Sequence, residues 1–163
     1  MPESKFTPAQ AEELAAAFAA EQVDYLFIGK SGAILLGYPE TTQNVDIFLP
    51  RSRENAERVL RALRSLGFTL DPAPTVSILS GSEIILMKGG PFALGLIHAP
   101  DGLESFASSK ARAVLAGGRF PVASLDDIIA SKRAAGRERD LSDLRRLELF
   151  REEYQRHRET GGL

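Results

Sequence analysis

Val45-Asp46-Ile47-Phe48-Leu49, stopped by Pro50, is the stretch on which the fold turns. It is short, rich in β-branched and aromatic residues, and ends at a residue that cannot donate to a sheet ladder, so it reads as a strand. Side chains alternate across a strand, which puts Asp46 and Phe48 on one face and the aliphatic residues on the other. An acid therefore stands in the middle of an apolar strand. Upstream, Val23-Asp24-Tyr25-Leu26-Phe27-Ile28 has the same character and stops at Gly29, giving an earlier core strand, and Ser31 to Leu36 fits a short helix or turn. Before both, Thr7-Pro8-Ala9-Gln10 combines a hydroxyl cap, a proline at the first helical position and a glutamine three residues after the cap. That pattern predicts a helix to about Gln22.

Downstream, Ser52 can cap a helix whose Val59, Leu60, Leu63 and Leu66 recur at helical spacing until Gly67. Val76 to Leu79, Glu83 to Met87 and Phe92 to Ile97 are apolar runs split by Gly81-Ser82 and Gly89-Gly90-Pro91, and they predict three hairpin-connected strands. Asp101-Gly102-Leu103-Glu104 opens another helix, and Arg119 to Val122 is a short extended piece. Ser124-Leu125-Asp126-Asp127 resembles a capping box for a helix that ends near Gly136. From about Arg139, Leu141, Leu144, Leu147 and Tyr154 mark a last amphipathic helix, with Arg and Glu on its outer face and a tail, Thr160 to Leu163, expected to fray. The order of elements is that of an α/β (α+β) protein: an N-terminal helix to about residue 22, a sheet core over about 23–100 and a mainly helical part over about 101–158.

A chain of 163 residues with 44% hydrophobic content fits one domain, with a real core and no room for a second. No apolar run approaches the roughly 20 residues that cross a bilayer, and the start, MPESKFTPAQ, lacks the basic-then-apolar order of a secretory signal. The expected location is cytoplasmic. With no cysteine, disulfides, thiolate zinc sites and thiol nucleophiles are excluded, so any chemistry rests on carboxylates, hydroxyls, Lys, Arg or the two histidines. A formal net charge of −2 gives no global attraction to nucleic acid, but Arg and Lys gather in the last third of the chain.

Three segments belong together: Ile28-Gly29-Lys30-Ser31-Gly32-Ala33, then Gly37-Tyr38-Pro39-Glu40-Thr41-Thr42-Gln43-Asn44-Val45-Asp46-Ile47, then Ser124 through Leu141 with Lys132, Arg133, Arg137, Arg139 and Asp140. Over roughly residues 20 to 150 their order and spacing resemble the minimal nucleotidyltransferases, including the toxin-type nucleotidyltransferases of abortive-infection systems. The resemblance implies a small mixed β-sheet of the nucleotidyltransferase type flanked by helices, with C-terminal helices packed against it. It also implies transfer of a nucleoside monophosphate from ATP or another NTP to a hydroxyl on protein, RNA or a small molecule, a toxin–antitoxin context, and Mg²⁺. A homodimer stays open, and no membrane partner is expected. Carried onto this sequence, Asp46 would ligate Mg²⁺ and Asn44 and Lys132 would complete the catalytic set. Gly29, Lys30, Ser31, Thr42 and Asp140 would line the nucleotide.

Two strand carboxylates two residues apart point to one face and can hold two Mg²⁺ ions, which polarise a phosphate and activate an acceptor. Small residues at the preceding helix N-terminus let backbone N–H groups approach phosphates. Against that pattern the chain has Asn44 for the first aspartate, no acid around Gly95-Leu96-Ile97 for the third, Gly29-Lys30 for the glycine pair, and Glu40 for the usual arginine. One charge remains where the family has about three. Two divalent ions beside a polyphosphate repel unless anions compensate, so two-metal catalysis is expected to be severely weakened. Glu40, Glu83 and His98 are the candidate substitutes, and Lys30 a candidate counter-charge for phosphate.

Each feature also has a plainer reading. Asp46 can be a hydrogen-bonded structural acid, His98 an ordinary strand-end histidine, and the run from Lys132 to Arg139 a solvated helix face. Gly29-Lys30-Ser31 resembles the end of a phosphate-binding loop, but Asp24 takes the place of its first glycine and the apolar run leaves no loop. Lys132 and Asp140 can pair as a buried bridge between the last helices. The competing functional reading is a non-enzymatic nucleotide- or protein-binding module on the same fold.

Overall fold

The computed structural model describes residues 5–161. Met1 to Ser4 and Gly162-Leu163 lie outside the described residues, and with them parts of the leader and tail readings. Among the described residues, seven helices and six strands follow in the order α1 (Pro8–Ala20), β1 (Leu26–Ile28), α2 (Gly29–Leu35), β2 (Asn44–Phe48), α3 (Arg53–Ser65), α4 (Pro72–Ser80), β3 (Ile84–Met87), β4 (Ala93–Ile97), α5 (Phe106–Arg112), β5 (Val114–Ala116), β6 (Phe120–Val122), α6 (Leu125–Ala135) and α7 (Glu138–Gly161). The strands form one mixed sheet in the order β3-β4-β2-β1-β6-β5, with the C-terminal helices packed against it.

Caps start the helices as expected. The Thr7 hydroxyl accepts from the Gln10 backbone while the Gln10 side chain accepts from the Thr7 N–H, a complete capping box. Ser52 and Ser124 accept from Asn55 and Asp127. Gly136, in the left-handed conformation, ends α6.

Val76 to Leu79 is not a strand: it lies inside α4. Asp71 at the cap, Pro72 and Pro74 in the first turn, where an N–H has no helical partner, and left-handed Gly81 after the last turn are helix boundaries that outweigh the β-branched content between them. Only two of the three expected strands therefore form. The helix expected to open at Asp101 begins instead at Phe106, where the Ser105 hydroxyl accepts from Ser108. Strand β5 was not anticipated; it pairs antiparallel with β6 around Gly117-Gly118. Thr160 and Gly161, expected to fray, continue the α7 backbone.

Register assigns the two faces of the sheet. Ile28, Asp46 and Gly95 stand side by side across β1, β2 and β4, and Leu86 of β3 completes the row. On the opposite face Val45, Ile47, Leu94, Leu96, Ile85 and Met87 are buried. Phe27 joins them, and edge-on rings lead from it through Tyr25 to Phe18 of α1, which packs on α3. On the Asp46 face lie α2, α6 and α7, which cover only its middle.

Candidate functional site

Between the Asp46 face and the three helices lies a cavity of about 320 Å³. Its floor is Ile28, Asn44, Asp46 and Ile97. Lys30 of α2 and Lys132 of α6 line its helical side, with Arg137 from the link between α6 and α7 and Arg139, Asp140 and Asp143 from the start of α7. Of the residues singled out from the sequence, Gly29, Lys30, Thr42, Asn44, Asp46, Lys132 and Asp140 meet here.

Glycine sets the position of Asp46. Gly29 has φ +63°, and a Cβ on it would lie 2.7 Å from Asp46 Oδ2. A Cβ on Gly95, across the strand pair, would lie 2.7 Å from Asp46 Oδ1. Both carboxylate oxygens thus occupy space that only glycine leaves free. Ser31 does not line the cavity. It is buried, and its hydroxyl donates to the Ile28 carbonyl at 3.0 Å and accepts from the Asp46 backbone N–H at 3.1 Å. Its place in this structure is a clamp between β1, α2 and β2.

Burial pushes the Asp46 carboxyl up to about 6, and the charges of Lys132, Arg137 and Arg139 offset only part of that. Asp140 behaves in the opposite way. Burial raises it too, but hydrogen bonds from Arg137 Nε (2.6 Å) and Lys132 Nζ (3.2 Å), with their charges, outweigh burial and hold it below the ordinary carboxylate range. The pair expected between Lys132 and Asp140 is present, with the Asp140 side chain 2% exposed.

The network continues beyond that pair. Asp143 Oδ2 lies 3.8 Å from Lys132 Nζ and 3.7 Å from Lys30 Nζ, while Arg146 joins Asp143 to Glu40 with 2.7 Å contacts on each side. One chain of alternating charge therefore ties α2, the loop before β2, α6 and α7 together. Arg133 stands apart, paired with Glu148 at 2.7 Å. Arg139 has no carboxylate within ion-pair distance among the described residues.

The proposed substitutes for the missing carboxylates do not line this cavity. Glu40 is held by Arg146, Glu83 is exposed, and His98 borders a smaller recess with Arg51, Ser52 and Gly81. There His98 Nδ1 lies 2.7 Å from the Ser82 carbonyl oxygen, and burial keeps the imidazole below its ordinary value. Sequence reasoning missed two acids that do line the cavity, Asp101 and Asp143. Asp143 follows Asp140 by three residues, the spacing of one helix face, which is a usable signal. Asp101 lies in the loop after β4, where the sequence pattern suggests a helix start and gives no sign of a cavity residue.

A pair of divalent ions does not fit these residues. Among the described residues no three acids or histidines are grouped to hold a metal, and Asp140 and Asp143 are engaged by lysine and arginine. A single Mg²⁺ is a different case. It is commonly held by one or two carboxylates with substrate phosphates and water filling the rest of its shell, which Asp46 with the Asn44 amide oxygen can meet. No helix among the described residues is long and apolar enough to cross a membrane. No protein-family model matches the chain, and no curated protein matches it.

Proposed function

We propose that the protein is a nucleotidyltransferase-like, nucleotide-binding protein that holds a nucleoside triphosphate in this cavity and retains weak or no Mg²⁺-dependent transfer of a nucleoside monophosphate to a hydroxyl acceptor. The observation that carries the reading is the placement of Asp46: one acid set between two glycines on the cavity floor, facing a wall where Lys30, Lys132 and Arg137 are paired with Asp140 and Asp143 and Arg139 has no carboxylate partner among the described residues. A polyphosphate presents several negative charges in a short span, and converging Lys and Arg side chains are the usual protein answer to it.

Asp46 and Asn44 are the residues that would hold one Mg²⁺, which when bound neutralises phosphate charge and polarises phosphorus. The chain's own contribution is positional. Asp140 fixes the Lys132 ammonium at the cavity wall, Arg139 is free of carboxylate partners there, and Thr42 offers a hydroxyl at the rim. Weak transfer follows from the acid count, since Asp46 has no neighbouring anion on the sheet to offset a second cation.

Calorimetric titration with ATP and GTP, with and without Mg²⁺, beside an assay for NMP incorporation, tests this. The expected result is Mg²⁺-dependent binding that Asp46→Ala abolishes, with at most slow incorporation that Asn44→Asp alone does not restore. Absence of nucleotide binding under both conditions would overturn it. One observation favours a second reading, a non-enzymatic binding module: the ion-pair chain already satisfies Asp140 and Asp143 without any metal. Tight binding indifferent to Mg²⁺ would select that alternative.

A further inference from the structure

The helices cover the middle of the Asp46 face and leave its β3 end open. In the run Ile84-Ile85-Leu86-Met87, Ile85 and Met87 are 7% and 3% exposed on the core face, as an edge strand requires. Their outward neighbours Ile84 and Leu86 are 62% and 65% exposed. A solvent-facing side of an edge strand is ordinarily polar, so two large aliphatic side chains standing there together call for an occupant. Register joins them to the cavity. Ile84 pairs with Ile97, Leu86 pairs with Gly95, and Gly95 pairs with Asp46. Ile84 and Ile97 line the cavity that Asp46 floors.

The site is thus divided by chemistry. On the helical side stand Lys30, Lys132, Arg137 and Arg139, the first three paired with Asp140 and Asp143 and Arg139 without a carboxylate partner among the described residues. On the β3 side the cavity runs out over Ile84 and Ile97, with Leu86 beside them. Asp46 and Leu86 are two strands apart, about 10 Å at the usual inter-strand spacing. A ligand that fits both halves is anionic at one end and apolar, with one face open to water, at the other, which is the build of a nucleotide and not of an inorganic phosphate.

We propose that Ile84, Leu86 and Ile97 form the subsite for the nucleobase of the ligand whose phosphates lie against the helical wall that carries Arg139. This rests on the nucleotide-binding reading above and adds to it where the base lies and which residues contribute to affinity for it. Two exposed aliphatic side chains contact a face of any base, so the subsite favours nucleotides over free polyphosphate and discriminates weakly between ATP and GTP.

The test compares ATP with inorganic tripolyphosphate on the wild-type protein, on Leu86→Ser and on the Ile84→Ser/Leu86→Ser pair. Both side chains are exposed, so the variants keep the fold, which a thermal melt verifies. The expected result is an ATP affinity lower by about tenfold in the double variant, with tripolyphosphate affinity unchanged. Cross-relaxation between ATP base protons and Leu86 methyls gives a second readout that does not depend on a variant. An unchanged ATP affinity in the double variant, with no such cross-relaxation, overturns the subsite and leaves the nucleotide reading standing. Wild-type protein that binds neither probe overturns both. A concentration-dependent dimer in sedimentation that Leu86→Ser dissolves, with ATP affinity unmoved, assigns the patch to a second copy of the chain and overturns the proposal.

Discussion

Asp46 and Asp140 line the same cavity, yet their surroundings move them in opposite directions. Asp46 comes from the sheet, and its immediate contacts are glycine and backbone; burial lifts its carboxyl to about 6. Asp140 comes from the first turn of α7, is also buried, and is held below its ordinary value because Arg137 and Lys132 donate to it directly. The difference teaches which acid is available. Asp140 is saturated by fixed cations and serves the architecture, whereas Asp46 has charge left to neutralise and no fixed partner to do it. A ligand cation or a proton would be taken by Asp46 first.

The largest expected effect comes from the saturated acid. Removing Lys132 leaves a buried carboxylate with one exposed arginine, and breaking a buried pair typically costs about 3 kcal/mol or more. Lys132→Met is expected to destabilise the protein by about 3 kcal/mol in urea unfolding. Combined with Asp140→Leu, much of that loss should return, because the apolar pair needs no desolvation of charge. If the two substitutions prove additive, the bridge is not the coupled unit described, and the contrast with Asp46 weakens.

A smaller effect of the opposite sign is expected at Asp46. Its carboxyl is raised in the folded state, so between about pH 4 and 6 the folded protein binds more protons than the unfolded chain and stability falls as pH rises. A shift of about two units corresponds to roughly 3 kcal/mol, which partial exposure at the cavity mouth reduces to about 1–2 kcal/mol. In EDTA, Asp46→Asn should therefore stabilise the protein by about 1–2 kcal/mol at pH 7 and leave it unchanged near pH 4. Asp140 carries the reverse dependence: its stabilisation is present above the ordinary carboxylate range and is lost as pH falls through its lowered value. Melting curves of Asp46→Asn and Asp140→Asn across pH 3–8 that slope the same way would contradict the comparison.

The sheet around Asp46 is legible because Val45 to Leu49 is short, β-branched and aromatic and Pro50 follows it, so local preference and tertiary placement agree. The same holds for the cap residues Thr7, Ser52 and Ser124, whose short-range hydrogen bonds do not depend on the rest of the molecule. Val76 to Leu79 has the apolar content of a strand, but its boundaries, Asp71-Pro72 and Gly81, are those of a helix and decide the outcome. Strand β5 has three residues and gains its identity only from pairing with β6, a contact no local pattern encodes. In the cavity, most of the residues given by motif spacing line one space, but what each one touches depends on tertiary distances. Ser31 has the right position in the sequence and yet is turned into the backbone, and Asp101 enters the cavity from a loop whose sequence suggests a helix start.

The smallest stability effect is expected at Arg139, and it sharpens the comparison most. Arg137 stands two residues before it and is bound to Asp140, so its charge is already used. Arg139 lines the cavity with no ion-pair partner among the described residues, and it acts on Asp46 through space. Surface substitutions that break no contact usually change stability by less than about 0.5 kcal/mol, and Arg139→Gln should stay within that range. If Asp46 is the unsatisfied acid and Arg139 the unsatisfied cation, the same variant should weaken tripolyphosphate binding and raise the Asp46 carboxyl further, readable by its carbon chemical shift across pH. Equal loss of stability in Arg139→Gln and Lys132→Met would mean that both cations hold the fold together, and the cavity would then have no free cationic group to offer a phosphate.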